Sequence, residues 1–141
     1  GPARVVGVDI DRTVLTTAAE NRRRVGTTTP VGWVCADATD APLRPGGPTT
    51  VVMNPPFGAQ DSNEHADRAF LATAVRLADV SYSVHNAGST EFVESFAADN
   101  GGSVTHAFRA ELDIDRQFAF HDAETETVDA EVYRIKWSDE G

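Results

Sequence analysis

The chain is 141 residues long, one domain's length, and 40% hydrophobic, enough to bury a sizeable single core. No apolar run approaches the roughly 18 residues of a membrane span, and no secretory leader pattern is present, so a cytoplasmic protein without membrane contact is the expectation. A formal net charge of −10, with twelve basic residues of which only Lys136 is lysine, fits a protein adapted to high salt, where acidic surfaces stay soluble, with a merely acidic mesophilic protein as the alternative.

Apolar runs alternate with helical patterns along the chain, which predicts an α/β fold with a mostly parallel sheet. "RVVGVDI" (4–10) reads as a strand. Asp11 is placed to cap a helix running to about Arg24, with Val14, Leu15, Ala18 and Ala19 inward and "GTTTP" as its stop. "VGWVCA" (31–36) is the next strand, and its lone Cys35 reads as a buried small hydrophobe. A Pro/Gly loop, "APLRPGGP", leads into the strand "TTVVM" (49–53).

Beyond that strand, Ala66, Phe70, Ala74, Leu77 and Ala78 recur at helical spacing, with Asp61 and Glu64 as a capping pair. "VSYSVH" (80–85) is a strand, and Phe92, Val93, Phe96 and Ala97 mark a helix capped by Ser89 and ended by "NGG". "SVTHAFRAEL" and "DAEVYRIKW" alternate polar and apolar residues, so they are expected to pair as antiparallel strands at the end of the sheet. The intervening "DIDRQFAFHDAETET" (113–127) is expected to be a long excursion.

Ligands of open α/β sheets sit at the carboxyl ends of the strands. Three such ends carry polar residues: Asp9, Asp37 and Asn54. A strand-end carboxylate can accept ribose hydroxyls, and a second one strand along can accept an adenine amine, although either can simply cap a helix. The stretch "VVMNPPFG" (51–58) narrows the chemistry. Pro55 and Pro56 fix two φ angles and remove two donors, so pairing ends there. An amine on an aromatic ring or acyl group is a poor nucleophile because its lone pair is delocalised. The Asn54 amide oxygen and the Pro55 carbonyl can both accept its N–H groups, favouring the pyramidal amine of the transition state, while Phe57 stacks on the planar group. Attack on a sulfonium methyl then needs positioning and electrostatics, with no general base.

Asp9 in "VVGVDID", Asp37 in "CADAT" and Asn54-Pro55-Pro56-Phe57 resemble the class I S-adenosylmethionine-dependent methyltransferases of planar amines. More narrowly, "NPPFG", "DRAFL" (67–71), "YSVH" (82–85) and "FAFH" (118–121) resemble the archaeal and eukaryotic adenine-N6 methyltransferases of small-subunit ribosomal RNA, the methyltransferase-like protein five family. The resemblance implies a Rossmann-like sheet ending in an antiparallel hairpin. It implies that Asp9 holds the cofactor ribose, that Ile10 packs on the adenine, and that Asp37 with Ala38 binds the adenine amine. Asn54, Pro55, Pro56 and Phe57 would present the target adenine, flipped from its stack at a cost of a few kcal/mol. Stacking on Phe57, about 1–3 kcal/mol, would offset part of that. Gly58, His85, Phe120 and His121 would line the substrate's path, His85 serving equally well as a hydrogen-bonded residue at a strand end. The histidines show no metal-ligand spacing. The resemblance also implies a partner, a small zinc-binding activator protein that adds a strand to the edge formed by Val31 to Cys35.

Two features depart from the family pattern. Asn86 stands where a lysine follows the strand-end histidine, which removes a phosphate contact. The family's first strand and glycine-rich cofactor loop have no counterpart; that strand would lie between the strands at 4–10 and 49–53. Residues 1–141 are therefore expected to be the C-terminal part of a single methyltransferase domain, unstable and inactive alone. Beside RNA methylation stand DNA adenine methylation and two further readings. A release-factor glutamine-N5 methyltransferase also uses an Asn-Pro-Pro platform, and a non-catalytic scaffold would retain the fold for binding. The acidic net charge weighs against a nucleic-acid substrate unless the protein works in high salt.

Overall fold

The computed structural model describes residues 1–55, 63–115 and 125–137. They form two compact units, Gly1–Arg44 and Pro45–Gly141.

In the first unit, β1 (Val5–Asp9) and β2 (Val31–Cys35) pair in parallel, with Asp9 opposite Cys35. The connection is α1 (Arg12–Val25). Asp11 caps it as expected, its side chain accepting from the Thr13 amide at 2.8 Å. Gly26, in the left-handed region at φ 75°, closes it by donating to the Arg22 carbonyl. Arg22, Arg23 and Arg24 in the last turn suit the helix dipole. The expected inward stripe is shallow: α1 has no buried residue, and Val14 is exposed. Cys35 is exposed as well, contrary to the expectation of burial; in a two-stranded sheet its side is not covered, and its thiol reaches the Ile10 carbonyl at 3.5 Å.

The second unit holds a four-stranded sheet in the order β3-β4-β6-β5, made of β3 (Thr50–Met53), β4 (Val80–Asn86), β5 (Ser103–Asp115) and β6 (Thr125–Lys136). β3 and β4 are parallel, while β6 runs antiparallel to both of its neighbours. The mostly parallel sheet with an antiparallel hairpin is thus the α/β architecture expected. The excursion expected over 113–127 is shorter: β5 runs through Asp115 and β6 begins at Thr125, because the ladder continues from Leu112↔Val128 to Asp115↔Thr125. Among the described residues, β1 pairs with β2 alone and β3 with β4 alone.

Two helices, α2 (Asn63–Leu77) and α3 (Thr90–Asp99), bury Leu71, Ala74, Val93, Phe96 and Ala97 in one cluster with Tyr133, Ile135 and Trp137 of the β6 end. The Arg68 guanidinium lies 5.4 and 5.6 Å from the Phe92 and Phe96 ring centres, which ties the two helices together. Gly102 follows α3 where only a glycine fits, since a Cβ there would lie 2.6 Å from the Trp137 ring. Ser89 stands at the α3 N-cap, but its hydroxyl donates to the Asn86 carbonyl at 2.6 Å and does not cap the helix. The Glu131 carboxylate from β6 takes the Ser89 amide instead, at 3.1 Å. The proposed Asp61 and Glu64 capping pair lies outside the described residues and side chains. No helix among the described residues is long and apolar enough to cross a membrane.

Candidate active site

The carboxyl end of the β1-β2 pair gathers the acidic residues of the first unit. Asp9 ends β1, and one of its carboxylate oxygens accepts the Asp11 amide at 2.8 Å. Ile10 follows with 71% of its surface exposed, so an aliphatic side chain stands open to solvent at this strand end. Asp37 lies two residues beyond β2 and caps a short 3-10 turn, Ala38–Asp40. Its carboxylate accepts the Thr39 hydroxyl at 2.6 Å and the Thr39 amide at 2.9 Å. Those two bonds hold its pKa below the usual carboxylate range. The parallel register with Asp9 opposite Cys35 therefore brings Asp9, Ile10, Asp37 and Ala38 to one end of one sheet. Two fixed carboxylates beside an exposed aliphatic surface fit a nucleoside, with acceptors for hydroxyl and amine groups and an apolar surface for a base.

In the second unit, Asn54 follows β3 directly and is exposed, with Pro55 buried behind it. The two prolines explain the break. β3 pairs with β4 from Thr50↔Val80 to Met53↔Ser83, and the chain leaves the ladder at the next residue. Pro56, Phe57 and Gly58, as well as Phe120 and His121, lie outside the described residues.

His85 is described, and its surroundings are not those of a pocket lining. It is 1% exposed, with Nδ1 2.8 Å from the Asp67 carboxylate and Nε2 2.7 Å from the Ser83 hydroxyl. Its ring meets Tyr133 edge-on at 5.7 Å. The Tyr133 hydroxyl donates to Glu131 at 2.6 Å and shares a second 2.6 Å bond with Thr90. Burial and the neighbouring Glu131 push the Tyr133 pKa up to about 12. Burial also raises that of Glu131, but the Tyr133 hydroxyl, the Gly88 and Ser89 amides and Arg109 outweigh it and hold it below the usual range. Sequence reasoning singled out His85 but missed Asp67, Ser83, Glu131 and Tyr133 as its surroundings. The one sequence signal is the polar alternation of Ser81, Ser83 and His85 along β4. Among the described residues and side chains, no group of three His, Cys, Asp or Glu is placed to hold a metal ion.

A family model described as the RMKL-like methyltransferase domain matches residues 2–117. The chain belongs to that family. This methyltransferase domain is 32% identical over 149 residues to MJ0284 of Methanocaldococcus jannaschii, a protein of uncharacterised function, covering 96% of the chain and 64% of that relative. It is 33% identical over 90 residues to the rRNA N(6)-adenosine-methyltransferase Mettl5 of Drosophila melanogaster, covering 62% of the chain and 41% of the relative. Among solved structures, a candidate RNA methyltransferase of Pyrococcus horikoshii, PH1948, superposes with a TM-score of 0.79 at 31% identity, over 97% of this chain and 65% of that one. The domain thus has the Rossmann-like methyltransferase fold, and it spans less than two thirds of the length of these relatives.

Proposed function

We propose that this protein transfers a methyl group from S-adenosylmethionine to the N6 amine of an adenosine in small-subunit ribosomal RNA. One observation carries the reading: Asn54, exposed at the carboxyl end of β3 with Pro55 buried behind it, opens an Asn-Pro-Pro-Phe run in a methyltransferase domain similar to Mettl5. Asp9 holds the cofactor ribose, Ile10 its adenine, and Asp37 with Ala38 the adenine amine. The Asn54 amide oxygen and the Pro55 carbonyl accept the two N–H groups of the target amine, and Phe57 stacks on its ring. Those acceptors would bind the amine more strongly as its lone pair turns out of the ring; S-adenosylmethionine would supply the methyl group and leave as S-adenosylhomocysteine, and the amine's extra proton would pass to water. Gly58, Phe120 and His121 line the path of the RNA.

Residues 1–141 act, on this reading, as the C-terminal part of one methyltransferase domain and are inactive alone. That among the described residues β1 pairs with β2 alone and β3 with β4 alone, and that the chain spans about two thirds of MJ0284, support this. The exposed edge of β2, with Trp33 in its middle, takes a small zinc-binding activator protein by strand addition, giving a heterodimer. The protein works in a salt-rich cytoplasm, where screening lets an acidic surface meet RNA.

The test offers unmodified ribosomal RNA and release factor together to the full-length protein in high salt, with S-adenosylmethionine and the activator, and analyses nucleosides and peptides by mass spectrometry. N6-methyladenosine is the expected product. Methylglutamine would move the assignment to a release factor, and neither product in a preparation that binds cofactor would indicate a non-catalytic scaffold.

A further inference from the structure

The inward face of β4 is polar throughout: Ser81, Ser83 and His85 are all buried against the helices. Each has a partner. Ser81 accepts the Trp137 indole N–H at 2.8 Å, and Ser83 and Asp67 take the two ring nitrogens of His85. Asp67, the fifth residue of α2, is 7% exposed and Ser83 is fully buried, so neither nitrogen of His85 is open to a ligand. A neutral ring donates from Nδ1 to the Asp67 carboxylate and accepts the Ser83 hydroxyl at Nε2; a protonated ring donates at both. Either state keeps the Nδ1–H on the carboxylate. Removing the ring would take the Nδ1–H away from a buried carboxylate, a loss that is costly in a desolvated site.

The placement of this chain of bonds gives it a second meaning. β3 and β4 run parallel with Met53 opposite Ser83, so Asn54 leaves β3 beside the stretch of β4 that holds Ser83 and His85. The carboxylate that grips His85 comes from the first turns of α2, the helix that follows the Asn54 segment in the chain.

We propose that His85 is a positioning residue for methyl transfer: through Asp67 and Ser83 it fixes the start of α2 against the carboxyl end of β4, and so fixes where Asn54 presents its amide. It touches neither RNA nor cofactor. The proposal rests on the methyltransferase reading of Asn54. Among the described residues, the groups that face the ring are Asp67 from α2, Ser83 from its own strand, and Tyr133, bonded to Glu131, from β6.

The experiment is a double-mutant cycle on the full-length enzyme, using Asp67→Ala, His85→Ala, their combination, and the shape-preserving Asp67→Asn. Expected is a fall in kcat of roughly 10- to 100-fold in each alanine variant, the cost of misplacing a reacting group by about an ångström. KM for S-adenosylmethionine should stay unchanged, and the double variant should be no worse than the poorer single one. Asp67→Asn, whose amide oxygen still accepts the Nδ1–H, should retain most of the turnover. A raised KM for RNA in His85→Ala alone, with Asp67→Ala near wild type, would make His85 a substrate contact and overturn the proposal. So would effects that multiply in the double variant. If the wild-type enzyme methylates nothing, the functional reading fails separately. Amide hydrogen exchange then decides the anchoring, because Asp67→Asn and His85→Gln should hold exchange in α2 near wild type, whereas Asp67→Ala should speed it in α2 and leave α3 unchanged. Equal exchange in all variants would overturn it whatever the activity.

Discussion

The two units of the chain treat apolar side chains in opposite ways. In Gly1–Arg44, α1 buries nothing, Ala41 is the one buried hydrophobic among the described residues, and Ile10, Val14, Val25 and Trp33 are exposed. In Pro45–Gly141, two helices and a four-stranded sheet enclose Leu71, Val93, Tyr133, Ile135 and Trp137 at 2% exposure or less. A helix on two strands has too little area to exclude water from its own interior, whereas four strands under two helices have enough. The chemistry divides along the same line. In the first unit Asp9 is half-buried and Asp37 exposed, each held by its own turn, while Asp67, His85 and Glu131 of the second are held inside by partners distant in sequence.

If stability resides in the second unit, Trp137→Ala should destabilise the protein by about 3–5 kcal/mol in denaturant unfolding, because it empties a site between α3 and β6 and orphans the Ser81 hydroxyl. Val14→Ala in α1 should change stability by no more than about 0.5 kcal/mol. Similar values for the two would break the comparison.

The functional division has its own pair. Asn54→Ala should lower kcat by about 10²–10³, comparable to the loss of one preorganised hydrogen-bonding group, with cofactor affinity little altered. Asp37→Ala should instead raise the dissociation constant for S-adenosylmethionine, measured by calorimetry, and leave kcat at saturating cofactor near wild type. Unchanged turnover in Asn54→Ala would remove the proposed mechanism.

A smaller effect sharpens the packing side. Gly102→Ala, which drives a Cβ to 2.6 Å from the Trp137 ring, should destabilise by about 1–3 kcal/mol. Comparable in size is a pH effect within the buried network. The Tyr133 pKa rises from 10.0 to about 12 on folding, so the folded state retains its proton where the unfolded chain has lost it. That contribution to stability is complete below pH 10 and declines as the pH rises towards 12. Tyr133→Phe should abolish that part of the alkaline decline, which unfolding curves between pH 9 and 12 would show. The smallest change belongs to the first unit: Thr39→Val removes the hydroxyl bond to Asp37, and its carboxyl pKa, followed by NMR, should move back up.

Much of the architecture was legible because it depends on local rules. The α1 cap at Asp11, its stop at Gly26, the end of β3 before Asn54, and the antiparallel end of the sheet all follow from capping geometry, proline chemistry and alternation. The errors occur where a neighbour from elsewhere decides. Ser89 takes the N-cap position its type implies, but its hydroxyl does not make the capping bond, and Glu131, 42 residues on, reaches the Ser89 amide instead. Cys35 was read as buried from its apolar neighbours, yet burial depends on what covers a strand. The hairpin ladder extends further than its polar composition indicated, because backbone pairing continues once a register is set.

β4 marks the boundary most clearly. Its alternation announces a strand, and by itself would turn Val80, Tyr82 and Val84 towards the core; α2 and α3 lie instead over Ser81, Ser83 and His85. The sequence by itself determined the order of strands and helices, the polar residues at three strand ends, and the proline break that exposes Asn54, since each depends on residues close along the chain. Only the tertiary structure decided which face of β4 is buried and that His85 is bound on both nitrogens. Those outcomes depend on helix placement and on partners such as Asp67, whose desolvated carboxylate is stable inside the fold because a ring nitrogen meets it there.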